Sequence, residues 1–119
     1  GGKAVETALT RIAQRGREAG LHLLLGAQKP ASSGLGPHLK ANLPVRLVGR
    51  VGSVEDARVA TGISGSGAEK LTGRGDFLAV ARGCTTHFQA AHVPAADMKE
   101  FQIAFRDRSA LIGNEIDLE

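Results

Sequence analysis

The 119-residue chain has no tryptophan and no tyrosine, and only four phenylalanines and one methionine. Its core must therefore rest on Leu, Val, Ile and Ala. A single cysteine, Cys84, excludes an internal disulfide framework and fits a reducing compartment, so a cytoplasmic location is expected. The longest apolar run lies around Leu23, Leu24 and Leu25, too short for a membrane span. No charged start with an apolar signal run opens the chain. What is present is ordinary for a folded domain: 42% hydrophobic and 23% charged residues, which excludes a disordered tail, a coiled coil and a collagen-like fibre. The net charge of +3 permits a polyanionic partner without requiring one. The length suits one small domain. Gly1-Gly2 stands directly before a helical pattern, so the chain reads as a piece of something larger.

Val5, Ala8, Leu9, Ile12 and Ala13 form a stripe of helical spacing, with Glu6, Arg11, Gln14 and Arg15 opposite. Gly16 and Gly20 bracket the helix end and hold Arg17 between them. Leu21–Ala27 reads as a buried strand, and a helix followed at once by such a strand predicts a parallel α/β sheet. Ala31–Gly36 is a small-residue loop. Pro37 opens a short helix through Asn42. Val45–Val51 is the next strand, with Val45, Leu47 and Val51 on one face and Arg46 and Arg50 on the other. Ser53 to Asp56 has the form of a capping box before a helix reaching Thr61. The glycine-rich Gly62–Gly67 leads into one or two helical turns at Ala68–Leu71. Arg82-Gly83 is a hairpin turn between strands Asp76–Ala81 and Thr86–Val93. Ala95–Phe105 reads as a helix, and 106–119 as a tail or linker.

Several constellations lack the residues their chemistry needs. Gly62 and Gly67 have phosphate-loop separation, but Ala68 and Glu69 stand where a lysine and a hydroxyl belong, so an adjustable surface loop is the better reading. His87 and His92 fall on opposite strand faces, Cys84 with His87 supplies only two ligands, and no metal site is expected. No serine sits in Gly-x-Ser-x-Gly. Carboxylates such as Glu18, Asp56, Glu69 and Asp76 read as caps and solvated charges. What remains is polar groups at the C-terminal edge of the strands: Gln28 and Lys29 after the first, Ser53, Asp56 and Arg58 after the second. Ligands of open α/β sheets bind at that edge. Arg17 lies at the other end of its strand, placed either to enter a neighbouring subunit or to complement a helix dipole.

The run from Arg11 through Arg17, Gln28, Lys29 and Pro30 resembles the FtsK/SpoIIIE DNA translocases. The likeness continues at Leu39–Arg46 and Asp56-Ala57-Arg58, and resumes at Gly67–Leu78, covering roughly residues 3 to 93 in order and spacing. The resemblance implies the C-terminal half of a RecA-like P-loop NTPase sheet ending in a β-hairpin (residues 1–105). It also implies a parent that uses ATP and Mg, assembles as a homo-hexameric ring and pumps double-stranded DNA. Any membrane anchor of such a parent would lie outside this chain. Both the phosphate loop (Walker A) and the magnesium-binding acidic strand (Walker B) lie upstream in the family, so the chain alone should not hydrolyse ATP. Carried over position by position, Arg17 matches the arginine finger acting in trans and Gln28 the γ-phosphate sensor. Lys29, Lys40 and Arg58 match basic positions facing the DNA backbone. The family commonly has Thr at Ala27, Arg at Lys29 and a basic residue at Val54, and the Gly62–Gly67 loop is longer here. These departures suggest a divergent plasmid, phage or conjugation branch. Two further readings stand beside the motor. One is a non-catalytic interaction module that kept the fold; the other is a half-sheet whose open edge self-associates into an artefactual dimer.

Overall fold

The computed structural model describes residues 2–28 and 35–117, and side chains up to Asp107. Lys29, expected at the DNA, and most of the Ala31–Gly36 loop lie outside the described residues. Eight elements follow in order: α1 (Gly2–Arg15), α2 (Pro37–Ala41), β1 (Val45–Val48), α3 (Val54–Thr61), the 3-10 turn η1 (Ala68–Lys70), β2 (Asp76–Ala81), β3 (Cys84–Gln89) and α4 (Ala95–Asp117).

The three strands form one antiparallel sheet in the order β1-β2-β3. This departs from the parallel sheet that the helix–strand alternation predicts. Leu21–Ala27 makes no ladder hydrogen bonds, although Leu23 and Leu25 are half-buried while Leu24 is 94% exposed, a strand-like alternation. A strand apolar on both faces needs cover on both sides. Among the described residues Leu21–Ala27 has cover on one.

The hairpin is fixed locally. Arg82 and Gly83 both have positive φ, 52° and 75°, the left-handed pair of a type I′ turn, whose twist matches that of the strands it joins. Closing the turn at Ala81 and Cys84 sets the register, which puts Phe77 opposite Phe88 with ring centroids 5.9 Å apart and nearly parallel. β3 starts at Cys84 and ends at Gln89, earlier at both ends than the sequence pattern suggests.

The Ser53 cap forms as read, although the Asp56 side chain makes no return bond to the Ser53 amide among the described residues. Ser53 Oγ accepts from the Asp56 amide at 3.0 Å, and α3 ends on left-handed Gly62, whose N–H donates to the Arg58 carbonyl at 2.8 Å. α3 and η1 lie on the sheet and enclose the core of Val48, Ala57, Ala68, Leu71 and Leu78, with Val51 and Ala60 at its margin.

β1 presents the opposite face from the one its alternation suggests. Val48 is buried, whereas Val45 and Leu47 are 59% and 60% exposed. Arg46 lies on the packed side, where its guanidinium donates to the carbonyls of Lys40 at 3.2 Å and Ala60 at 3.4 Å. It thereby ties the ends of α2 and α3 to the strand. A side chain that satisfies two carbonyls while its stem covers apolar surface is stable in a half-buried position.

α1 and α4 contrast with this core. α1 is amphipathic, yet none of its residues is buried, and it meets α2. α4 begins at Ala95, as expected, but continues past Phe105 to Asp117, so the tail or linker is helical over most of its length. Met98, Phe101, Ile103 and Phe105 are all substantially exposed.

Candidate functional site

Arg17 sits on the turn that ends α1. The Gly16 amide donates to the Ile12 carbonyl at 2.7 Å, and the Leu21 amide donates back to the Gly16 carbonyl at 2.8 Å. A Cβ on Gly16 would stand 2.5 Å from the Ile12 oxygen, so backbone packing requires glycine there. Gly20 has φ +70°, a left-handed conformation that again favours glycine. Between these two fixed points Arg17 is exposed.

Gln28 lies past the other end of the Leu21–Ala27 stretch, also exposed. It lines a groove of about 580 Å³ whose walls include Leu23, Leu25, Leu35, Val45, Leu47 and Phe77. Lys40, half-buried, lines the same groove. The fold thus brings Gln28 and Lys40 to one apolar cleft. Arg17 is not among its lining residues, and neither is Arg58, although Val59 and Ala60 are.

Arg58 projects from α3 into an ion pair with Glu55, one helical turn earlier. Nη2 lies 2.5 Å from one carboxylate oxygen and Nε 3.3 Å from the other. Both side chains are more than half exposed. The hydrogen bonds from Arg58, reinforced by its charge, hold the Glu55 carboxyl below its usual range, and the Arg58 guanidinium is correspondingly raised. The pairing was open to inspection as a Glu-x-x-Arg spacing on a predicted helix, since residues three apart share a face.

A second polar cluster corrects the reading of Asp76 as a solvated charge: Asp76 is buried. One carboxylate oxygen accepts from the Thr72 amide at 2.8 Å and the Thr72 hydroxyl at 3.0 Å, and the other pairs with His87 Nε2. The Thr72 backbone N–H, then the His87 contact, hold the Asp76 carboxyl below the ordinary range against the opposing effect of burial. The hairpin register explains the meeting. His87 faces Leu78, so it stands diagonal to Asp76 on the same side of the sheet. The cluster joins the Leu71–Gly75 turn to β3. Gln89 adds a bond from Nε2 to the Arg74 carbonyl at 2.8 Å.

The glycine-rich loop has left-handed residues at Gly62, Gly65 and Gly67 and leads into the three-residue η1. Thr61 closes its start, donating to the Ala57 carbonyl at 2.6 Å and accepting from the Ile63 amide at 3.1 Å. Among the described residues no three His, Cys, Asp or Glu side chains group as metal ligands could, and no helix is long and apolar enough to cross a membrane.

Comparison with known proteins gives these features a context. No family model matches the chain. Curated relatives do. A DNA translocase FtsK from Sporosarcina ureae is 43% identical over 91 residues, covering 75% of this chain and 11% of that protein. One from Staphylococcus epidermidis is 40% identical over 101 residues, 83% of this chain and 12% of that protein. The FtsK of Helicobacter pylori is 39% identical over 102 residues, 86% of this chain and 12% of its own length. The chain therefore spans about a tenth of the curated relatives it matches. Among solved structures, the pCW3 conjugation coupling protein TcpA, in its monomer form with ATPγS, superposes with a TM-score of 0.70 at 26% identity. The match takes in 78% of this chain and 26% of that one. The mixed helix–strand architecture, part of a RecA-like P-loop NTPase sheet with a terminal β-hairpin, is thus found in a related coupling protein. With identity near 40% along most of its residues to FtsK proteins from three genera, this segment belongs to the FtsK family.

Proposed function

We propose that the chain is the C-terminal half of the RecA-like motor, residues 1–105 with 106–119 as tail or linker, of an ATP-driven double-stranded DNA translocase. In this reading the parent works as a homo-hexameric ring in the cytoplasm. Arg17 supplies positive charge to the γ-phosphate of a neighbouring subunit's nucleotide, where phosphoryl transfer builds up negative charge. Gln28 senses the γ-phosphate and reports its loss to the DNA-facing elements. Lys29, Lys40 and Arg58 hold DNA phosphates, contacts that carry no sequence information and so suit a motor that must traverse any sequence.

The observation that carries this reading is the placement of Arg17. An exposed arginine on a turn pinned by two glycines is held by backbone geometry while its side chain stays free to reach outward. Arg17 precedes and Gln28 follows the Leu21–Ala27 stretch, an arrangement that suits two different nucleotide sites rather than one. ATP and Mg would supply the transferable phosphoryl group and its charge neutralisation. The residues here fit the far side of such a site, not its cradle, because Ala68 and Glu69 follow the Gly62–Gly67 loop. In the assembled parent, Arg17→Ala should abolish ATP turnover while leaving nucleotide binding intact; unchanged turnover would remove the finger assignment.

A second reading is favoured by Val54 and by the Glu55–Arg58 pair, which leave α3 with less free positive charge than a DNA grip would use. This is a non-catalytic interaction module on the same fold. A phosphate-loop motif encoded just upstream in the same gene favours the motor, and its lack favours the module. On its own, the chain should also self-associate, since β1 pairs only with β2 among the described residues and exposes Val45 and Leu47. A clean monomer across a light-scattering dilution series would refute that.

A further inference from the structure

Arg58, a DNA-facing residue of the proposed motor, has its side chain engaged by Glu55 in the fold. Its Nε and Nη2 form one edge of the guanidinium fork, and both are aimed at the two oxygens of Glu55. A DNA phosphate recognises arginine through the same paired N–H donors that a carboxylate uses. Glu55 therefore stands in the position of a phosphate. Because both side chains are more than half exposed, the pair can open when a stronger anion arrives.

We propose that Glu55 is an intramolecular competitor for DNA phosphate at Arg58, setting how tightly and with what salt dependence α3 grips the duplex. The inference rests on the reading of Arg58 as a DNA contact. With Glu55 paired, the Glu55–Arg58 unit is neutral, and Val54 adds no charge beside it. To use the same Nε–Nη2 edge of Arg58, a phosphate must displace the carboxylate and leave it unpaired near the DNA. The contact then adds little to counterion release and breaks easily. A motor that must let go of each phosphate as it steps gains from such a contact. Glu55 here is a positioning residue, acting on DNA through Arg58.

The test is binding of a fluorescent 30-bp duplex (about three helical turns) by the full protein that carries this segment, followed by anisotropy over a salt series. Glu55→Gln should bind about two- to fivefold tighter at moderate salt, the range typical of an exposed pair. Its plot of log affinity against log salt should steepen by up to about 0.9, one added phosphate contact. Glu55→Asp keeps the charge but is one methylene shorter and cannot hold both contacts, so it should shift the same way. In an Arg58→Ala background, Glu55→Gln should have almost no effect. Equal affinity of Glu55→Gln and the unmodified protein overturns the inference. So does a Glu55→Gln effect that persists in full without Arg58, because that is simple removal of a negative charge. An Arg58→Ala variant with unaltered DNA affinity and salt slope instead overturns the DNA-contact reading, and this inference falls with it.

Discussion

Two regions of this small chain share the same kinds of sequence pattern and meet opposite fates. The segment from Val45 to Gln89 closes on itself: α3 and η1 cover one side of a three-stranded sheet, and Val48, Ala57, Ala68, Leu71 and Leu78 leave the water. The flanking segments do not. α1 carries a full apolar stripe yet has no fully buried residue, Leu24 is almost wholly exposed, and α4 displays Met98, Phe101, Ile103 and Phe105. Amphipathic patterning therefore marks the surface an element offers. Whether that surface is covered depends on what packs against it. In this molecule the residues proposed for function follow the division, because Arg17 and Gln28 lie in the open region while Arg58 stands on the closed one.

The largest effect should separate the two regions by function rather than stability. Arg17→Ala in the assembled protein is expected to lower ATP turnover by a factor on the order of 10³ or more, the scale at which arginine fingers act. Its thermal midpoint should stay unchanged, since Arg17 is exposed and its side chain makes no hydrogen bond or ion pair among the described residues. A melt coupled to a steady-state ATPase assay reads both.

Next in size is a pair of leucines. Leu78→Ala removes a buried side chain from the core and should cost about 2–4 kcal/mol in urea unfolding. Leu24→Ala should cost less than about 0.5 kcal/mol, because its side chain already faces solvent. Equal costs would mean that the open segment is packed in solution.

A smaller effect concerns Asp76, whose cluster anchors the closed region at the foot of the hairpin. Its folded-state pKa is lowered, first by the Thr72 amide and then by His87. Its stabilising contribution is therefore complete above the ordinary carboxylate range, near pH 4, and is lost as pH falls through that range towards the lowered value. Asp76→Asn should remove this part of the acid dependence. Melts between about pH 7 and pH 3 would show the unmodified chain losing its advantage over the variant as the acid range is crossed. Parallel curves would show that the carboxylate's bonds add nothing.

The smallest is Ser53→Ala, which removes the side-chain acceptor at the start of α3 and should cost about 1 kcal/mol. Because α3 covers the core, this change should register in global unfolding, whereas capping changes in α1 should not.

Features that depend on neighbours in sequence were legible in advance. Ser53 followed by Asp56 is a cap because the donor and acceptor lie three residues apart. Arg82-Gly83 is a hairpin turn because its flanks alternate, and Gly16 and Gly20 bracket Arg17 because a helix end needs residues without side-chain obstruction. The resemblance to the translocase family was legible for the same reason, as ordered runs of residues. Other features depend on partners distant in the chain. The alternation of β1 defines two faces but not which is inward, and Arg46 rather than Leu47 faces the packed side because two carbonyls from α2 and α3 are there to receive it. Asp76 reads as a surface charge until the hairpin register brings His87 beside it. Leu21–Ala27 has the composition of a buried strand, and only the set of strands available for pairing decided that it forms no ladder. Local chemistry is encoded within a few residues, and the sequence alone determined it. Burial, strand pairing and ion pairs between distant residues such as Asp76 and His87 are properties of the assembled surface, which only the tertiary structure decides, because water is excluded by many segments acting together.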